Sequence, residues 1–265
     1  MSKLVLGMPT LIEYDTIEEN IHLCELLGLD FIELNMNLPQ YQPSNLNSQQ
    51  LKHIQETTGI FYTIHLPEEF DIANFNKEVR NSYKKVFMET VKVAKELSVP
   101  IINMHMNVGV YFTLPNKKIY LYEKYFDEYV RRIREFANYA GQLLKGSSIK
   151  IAIENTGIYS LDFVRRAMDE MVSEEHFVLT WDIGHDYSSG NQDKGFLLEH
   201  QNKIKHMHLH DAIAERNHLP LGSGDIDVES KIALALNNSC RCVVETKTIQ
   251  GLTDSVKYLH ECEWR

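Results

Sequence analysis

Residues 205–227 read KHMHLHDAIAERNHLPLGSGDID and hold four histidines. Side chains alternate between faces along a strand, so His206, His208 and His210 point one way while Met207 and Leu209 point the other. Three imidazoles on one face with apolar residues behind them describe a polar barrel interior backed by a helix layer. Asp211, His218 and the Gly222-Ser223-Gly224 turn follow. Histidines at 206, 208, 210 and 218 fit metal ligation better than a polar surface strand, because imidazole is the commonest transition-metal ligand.

On either side of this stretch, short apolar runs alternate with amphipathic ones. The runs are 4–8, 31–34, 60–65, 101–105, 149–154, 177–182, 204–210 and 241–245. Between them, apolar residues recur at helical spacing over 17–27, 49–57, 76–97, 122–144, 161–171 (with Ser160 as the expected N-cap), 195–202, 228–236 and 253–262. Repeated β–α units without a break in composition predict an α/β fold, a (βα)8 TIM barrel, as a single domain over residues 1–265. A doubly wound open sheet is the alternative. The longest stretches without periodicity, 66–75 and 106–116, both follow strands, where a barrel forms its active-site mouth.

Composition narrows the function. An apolar fraction of 43% and a charged fraction of 24% are those of an ordinary globular chain able to bury a large core. The net charge of −10 argues against a protein whose main partner is nucleic acid. Cys24, Cys240, Cys242 and Cys262 have no framework spacing, and strand alternation turns Cys240 and Cys242 away from Glu245 towards helices. The N-terminal residues carry no signal-peptide pattern and no long apolar run is present, so the expectation is a cytoplasmic protein without membrane contact.

The polar residues at the strand ends carry the chemistry. The third run ends in His65, the fourth in His105, the fifth in Glu154 and the sixth in Asp182; the seventh holds His208 and His210, and the eighth ends in Glu245. His185 lies just past Asp182. The register is internally consistent. Ile149, Ile151 and Ile153 share a face opposite Glu154, and Phe177, Leu179 and Trp181 share a face opposite Asp182, so both carboxylates point inward. Clustered carboxylates and imidazoles in a half-buried mouth are costly unless a cation neutralises them. A mixed His/Asp/Glu set without thiolates suits Mn²⁺, Zn²⁺, Co²⁺ or Mg²⁺. Glu154 and Glu245 could move a proton between adjacent carbons of a metal-bound hydroxy-ketone. The same set could instead hold several metals and activate water against a phosphate ester.

With Ala152-Ile153-Glu154-Asn155, Trp181-Asp182-Ile183-Gly184-His185, His206-Met207-His208-Leu209-His210-Asp211, Val244-Glu245-Thr246 and the loop 218–227 in this order, the chain resembles the xylose-isomerase-like TIM-barrel superfamily. That superfamily holds sugar and sugar-phosphate isomerases and epimerases, and endonuclease IV. The resemblance implies a metal bound by Glu154, Asp182, His208 and Glu245, the two glutamates as acid and base, and His185 hydrogen-bonding a carbohydrate substrate. In the endonuclease-like pattern His65 and His105 join Glu154 at a second metal, and His185 and His218 belong to a third. Arg216 departs from it, standing where that pattern has an aspartate ligand. A guanidinium cannot ligate a cation but suits an anionic group such as a sugar phosphate. Arg216 and His210 are therefore expected on the substrate side, and His206 deeper in the barrel. Glu33 is left open between cavity and packing, and Asn155 is read as facing away. A dehydratase in the same barrel is a further alternative. Tyr111 and Phe112 could stack on a sugar or pack the interface of a homo-oligomer.

Overall fold

The computed structural model describes residues 4–264. Its strands are β1 (Val5–Pro9), β2 (Phe31–Asn35), β3 (Phe61–His65), β4 (Ile101–His105), a hairpin of β5 (Tyr111–Leu114) and β6 (Lys117–Tyr120), β7 (Lys150–Glu154), β8 (Phe177–Asp182), β9 (Ile204–Leu209), a short antiparallel pair of β10 (Asp211–Ile213) and β11 (Arg216–Leu219), and β12 (Arg241–Val244). Strands β1, β2, β3, β4, β7, β8, β9 and β12 form a closed parallel barrel, with β12 pairing both β9 and β1. The expected (βα)8 barrel is therefore the observed fold. Among the described residues no helix is long and apolar enough to cross a membrane.

Side-chain alternation builds two different surfaces on the same strands. The outward positions, among them Leu6, Ile32, Ile64, Met104, Ile153, Leu179, Met207 and Val244, are buried with the helices in one continuous core. Inside the barrel the lower end is apolar. Phe31 stacks on Phe61 with centroids 5.0 Å apart, and Ile101, Ala152 and Val178 form a small separate cluster. Higher up the interior turns polar with Glu33, Thr63, Asn103, Thr180 and His206, all buried. The carboxyl-terminal rim then carries the acids and imidazoles.

The helices start where their cap residues dictate. Thr16 and Glu19 form a reciprocal capping box for helix Ile17–Leu26, and Asn47, Asn76, Asp227 and Thr248 cap theirs through side-chain oxygens. Two expectations fail. Ser160 does not cap helix Asp162–Val172, because its hydroxyl donates to Gln192 Oε1 at 2.8 Å and Leu161 takes the cap position without a side-chain bond. The helix expected over 122–144 is broken at Tyr125, whose φ and ψ of −114° and 47° separate Leu121–Lys124 from Phe126–Leu144.

Gly7 on β1 packs directly against Phe31: a Cβ there would lie 2.5 Å from the ring. Gly7→Ala is expected to destabilise the fold by about 1–3 kcal/mol through overpacking. Thermal unfolding should show a melting temperature lower by several degrees; an unchanged value would mean that the Phe31–Phe61 stack is free to shift.

Candidate metal centre

Four strands deliver four ligand-type side chains to one point. Glu154 ends β7, Asp182 ends β8, His208 lies near the end of β9, and Glu245 follows β12. One ligand atom from each lies within 4.8 Å of the others, and all four residues are buried. His208 Nδ1 is 3.3 Å from Glu154 Oε1, 3.2 Å from Glu245 Oε2 and 3.8 Å from Asp182 Oδ2. Three buried carboxylates around one imidazole concentrate negative charge at one point, the kind of donor set that could hold a cation. His208 Nδ1 and Glu245 Oε2 are buried without a hydrogen-bond partner, and both aim at the cluster's centre. Three oxygens and one imidazole nitrogen suit a divalent ion such as Mn²⁺, Co²⁺, Zn²⁺ or Mg²⁺.

The three carboxylates are held in their ionised form by the imidazoles and the ammonium around them. Burial pushes Glu154 up, but His208 and His105 facing it outweigh that and hold its carboxyl well below the usual range. Burial likewise raises Glu245, while His208 and Lys247 hold it well below. Asp182 is lowered by His210 and His185 against the same burial penalty. Desolvation disfavours a charged His185, yet Asp182 and Glu154 push that imidazole up to about 9.

The remaining expected residues fall into two groups. His65 Nε2 and His105 Nε2 each lie 3.3 Å from Glu154 Oε2, so Glu154 presents one oxygen to the quartet and the other to this histidine pair. The His65 Nδ1–H faces the Leu66 carbonyl at 2.7 Å, which turns Nε2 towards Glu154. His185, His210 and His218 converge on the opposite side. His210 Nδ1 accepts the His218 backbone N–H at 2.8 Å, so its proton sits on Nε2, which lies 3.0 Å from both Asp182 oxygens. In this arrangement His210 has no free lone pair for a metal and is fully buried, so it orients Asp182 rather than reaching outward. Arg216 is exposed on β11.

Local backbone makes this packing feasible. A Cβ on Gly184 would fall 2.0 Å from the His210 ring, so only glycine allows that approach. Asp211 accepts the backbone N–H groups of Ala212, Gly222, Gly224 and Ile226 at 2.9–3.1 Å, pinning the loop that follows His218 and β11. His218 itself is held at φ 53°, in the left-handed region.

Three contributors escape sequence reading. Asn103 Nδ2 donates to Glu154 Oε2, and Lys247 Nζ lies 2.9 Å from Glu245 Oε1. Asn155, read as facing away, clamps the backbone of Asp182 through both its amide atoms, at 3.0 and 2.7 Å. The only sequence signal for these is adjacency to Glu154 and Glu245, and Asn103 lacks even that. Glu33 is buried inside the barrel, with Oε1 2.9 Å from His208 Nε2.

Beside the quartet opens a cleft of about 530 Å³ at the carboxyl-terminal mouth, lined by Thr10, Asn35, Asn37, Gln42, Glu68 and Lys247 among others. Its size is that of a small-molecule site. It meets the quartet at Glu245 through Lys247.

If the quartet holds a metal, Mn²⁺ or Zn²⁺ at about a hundred times its dissociation constant should stabilise chelator-treated protein by about 2.7 kcal/mol, read as a rise in melting temperature. Asp182→Asn should abolish most of that rise. An equal rise in Asp182→Asn would place the ion elsewhere.

Among solved structures of similar fold, a D-tagatose 3-epimerase-like protein superposes with a TM-score of 0.76 at 21% identity, covering 97% of this chain and 96% of its own. The Escherichia coli 3-keto-D-glucoside 4-epimerase YcjR gives 0.76 at 17% identity, covering 98% and 100%. The zinc-containing IolI protein gives 0.73 at 16% identity, covering 98% and 96%. No curated protein matches the chain by sequence. A family model described as the xylose isomerase-like TIM barrel matches residues 21–264, and the chain belongs to that family.

Proposed function

We propose that this protein is a metal-dependent isomerase or epimerase of a small sugar or sugar phosphate, with Glu154 and Glu245 as acid and base. The observation that carries the reading is the placement of two glutamates on either side of one buried centre, each with an oxygen 3.2–3.3 Å from the same His208 nitrogen. A divalent ion held by Glu154, Asp182, His208 and Glu245 would supply Lewis-acid polarisation of a hydroxy-ketone's oxygens. The chain's own residues do the rest. One glutamate removes a proton from the carbon beside the carbonyl and the other returns one. Return to the opposite face of the same carbon inverts it; return to the former carbonyl carbon, with the hydroxyl proton passing to the former carbonyl oxygen, isomerises the sugar. His185, with Nδ1 3.6 Å from Glu154 Oε1, is placed to hold a substrate oxygen next to Glu154.

The cleft supports the substrate class. Asn35, Asn37, Gln42 and Thr10 offer neutral donors and acceptors suited to hydroxyl groups, and Lys247 brings a cation to the end beside Glu245. The epimerases named among the similar folds are sugar enzymes, which fits. The pair His65 and His105 on the outer oxygen of Glu154 favours a second reading, a multi-metal phosphodiesterase. Against it stand the net charge of −10 and an arginine in place of the third site's aspartate.

Glu154→Gln keeps the side chain's shape and removes its basicity. Turnover on any sugar identified from a panel should fall by about 10²–10⁴-fold, together with exchange of the substrate's carbon-bound hydrogen into deuterated solvent. Near wild-type exchange in this variant would remove Glu154 from the acid/base role. Nicking of an abasic-site duplex by the purified protein would favour the phosphodiesterase instead.

A further inference from the structure

Every member of the quartet has a partner on its far side. Asn103 holds the outer oxygen of Glu154, His210 lies against Asp182, and Lys247 sits on the outer oxygen of Glu245. For His208 the partner comes from the opposite wall of the barrel. Glu33, on β2 and 2% exposed, places Oε1 2.9 Å from His208 Nε2. His208 Nε2 has no hydrogen-bond partner elsewhere, so this carboxylate is the group that faces it. Thr63 Oγ1 donates to the other oxygen, Oε2, at 3.0 Å and fixes the carboxylate's rotation.

A buried carboxylate without lysine or arginine needs another donor. His206 is the other candidate, with Nε2 3.5 Å from Glu33 Oε2, but its proton is committed elsewhere. Thr180 gives its hydroxyl hydrogen to Asn103 Oδ1 at 2.5 Å, so the Thr180 oxygen must accept from His206 Nδ1 at 3.2 Å. His206 Nε2 is also the more distant of the two imidazole nitrogens from Glu33, at 3.5 Å against 2.9 Å for His208 Nε2. His208 Nε2–H is left as the donor.

We infer that Glu33 is a positioning residue: by taking the Nε2–H of His208 it fixes the tautomer that aims the Nδ1 lone pair between Glu154, Asp182 and Glu245. A metal-bound histidine oriented by a carboxylate on its second nitrogen is a stronger and better-directed ligand, and loss of such a partner typically weakens metal binding about 10–100-fold. Glu33 therefore acts on the metal centre without reaching substrate. The inference rests on the metal-dependent reading above.

The test compares wild type with Glu33→Gln, and with Thr63→Val as a milder variant that releases the carboxylate without removing it. Chelator-treated protein is titrated with Co²⁺ against a chromophoric chelator, and the visible spectrum of the Co²⁺ form is recorded. Glu33→Gln should bind Co²⁺ about tenfold more weakly or worse, with an altered spectrum, and Thr63→Val should show a smaller loss. The melting temperature of the metal-free variants should not drop in parallel, which separates positioning from a general structural role. Affinity within twofold of wild type and an unchanged spectrum in Glu33→Gln would overturn the inference. So would loss of a second bound equivalent with the first intact, since Glu33 would then be a ligand itself. Wild-type protein that binds Co²⁺ but turns over no sugar would remove the proposed reaction and leave this inference standing; no Co²⁺ affinity in wild type would overturn both.

Discussion

Glu154, Asp182 and Glu245 meet around a single imidazole nitrogen in the interior of the barrel, and the surrounding structure is arranged to make that concentration of negative charge tolerable. Burying one unpaired carboxylate is expensive, and burying three together is more so. Hydrogen bonds from Asn103, His210 and the backbone N–H of His185, and the ammonium of Lys247, satisfy outer lone pairs of the acids. None of these lies between the acids, where a divalent cation would. The position is set by strand geometry, since parallel strands in a closed barrel bring their carboxyl ends to one face.

The barrel divides this work along its axis. Its lower interior is packed by Phe31, Phe61, Ile101, Ala152 and Val178, and the outer faces of all barrel strands are buried against helices. That apolar packing offsets what the upper interior costs in buried polar groups, in the left-handed backbone of His218 and in the close approach of His210 to Gly184. Loops over the site are held by buried acids used as hubs for backbone N–H groups: Asp211 for the loop after β10 and β11, and Asp193 for Gly157 and Tyr159 after β7. The ligand-type residues thus sit on strand ends while adjacent loops remain free to shape the cleft.

Much of the fold is legible in the sequence, because alternation and helical spacing are local signals. The runs 149–154 and 177–182 place their acids inward from the sequence alone, and the structure has β7 and β8 there with both acids buried. What escapes is decided by partners distant in sequence. Glu33 is one acid in Phe-Ile-Glu-Leu-Asn, and only His208 across the barrel reveals its direction. Ser160 looks like an N-cap until Gln192 takes its hydroxyl. The hairpin of β5 and β6 and the break at Tyr125 lie where exposed aromatics and lysines blur both periods. For the candidate site, residue identities are legible and tautomers are not: His210 reads as an available imidazole, yet a single backbone N–H from His218 commits its nitrogen.

The most direct test of the central claim is anomalous diffraction from crystals grown with Mn²⁺ or Zn²⁺, recorded on both sides of the metal's absorption edge. The account predicts a strong anomalous peak about 2.0–2.3 Å from an oxygen each of Glu154, Asp182 and Glu245 and from Nδ1 of His208. A peak held by His65 and His105 with the quartet empty, or no peak at a metal concentration that stabilises the protein, would contradict it.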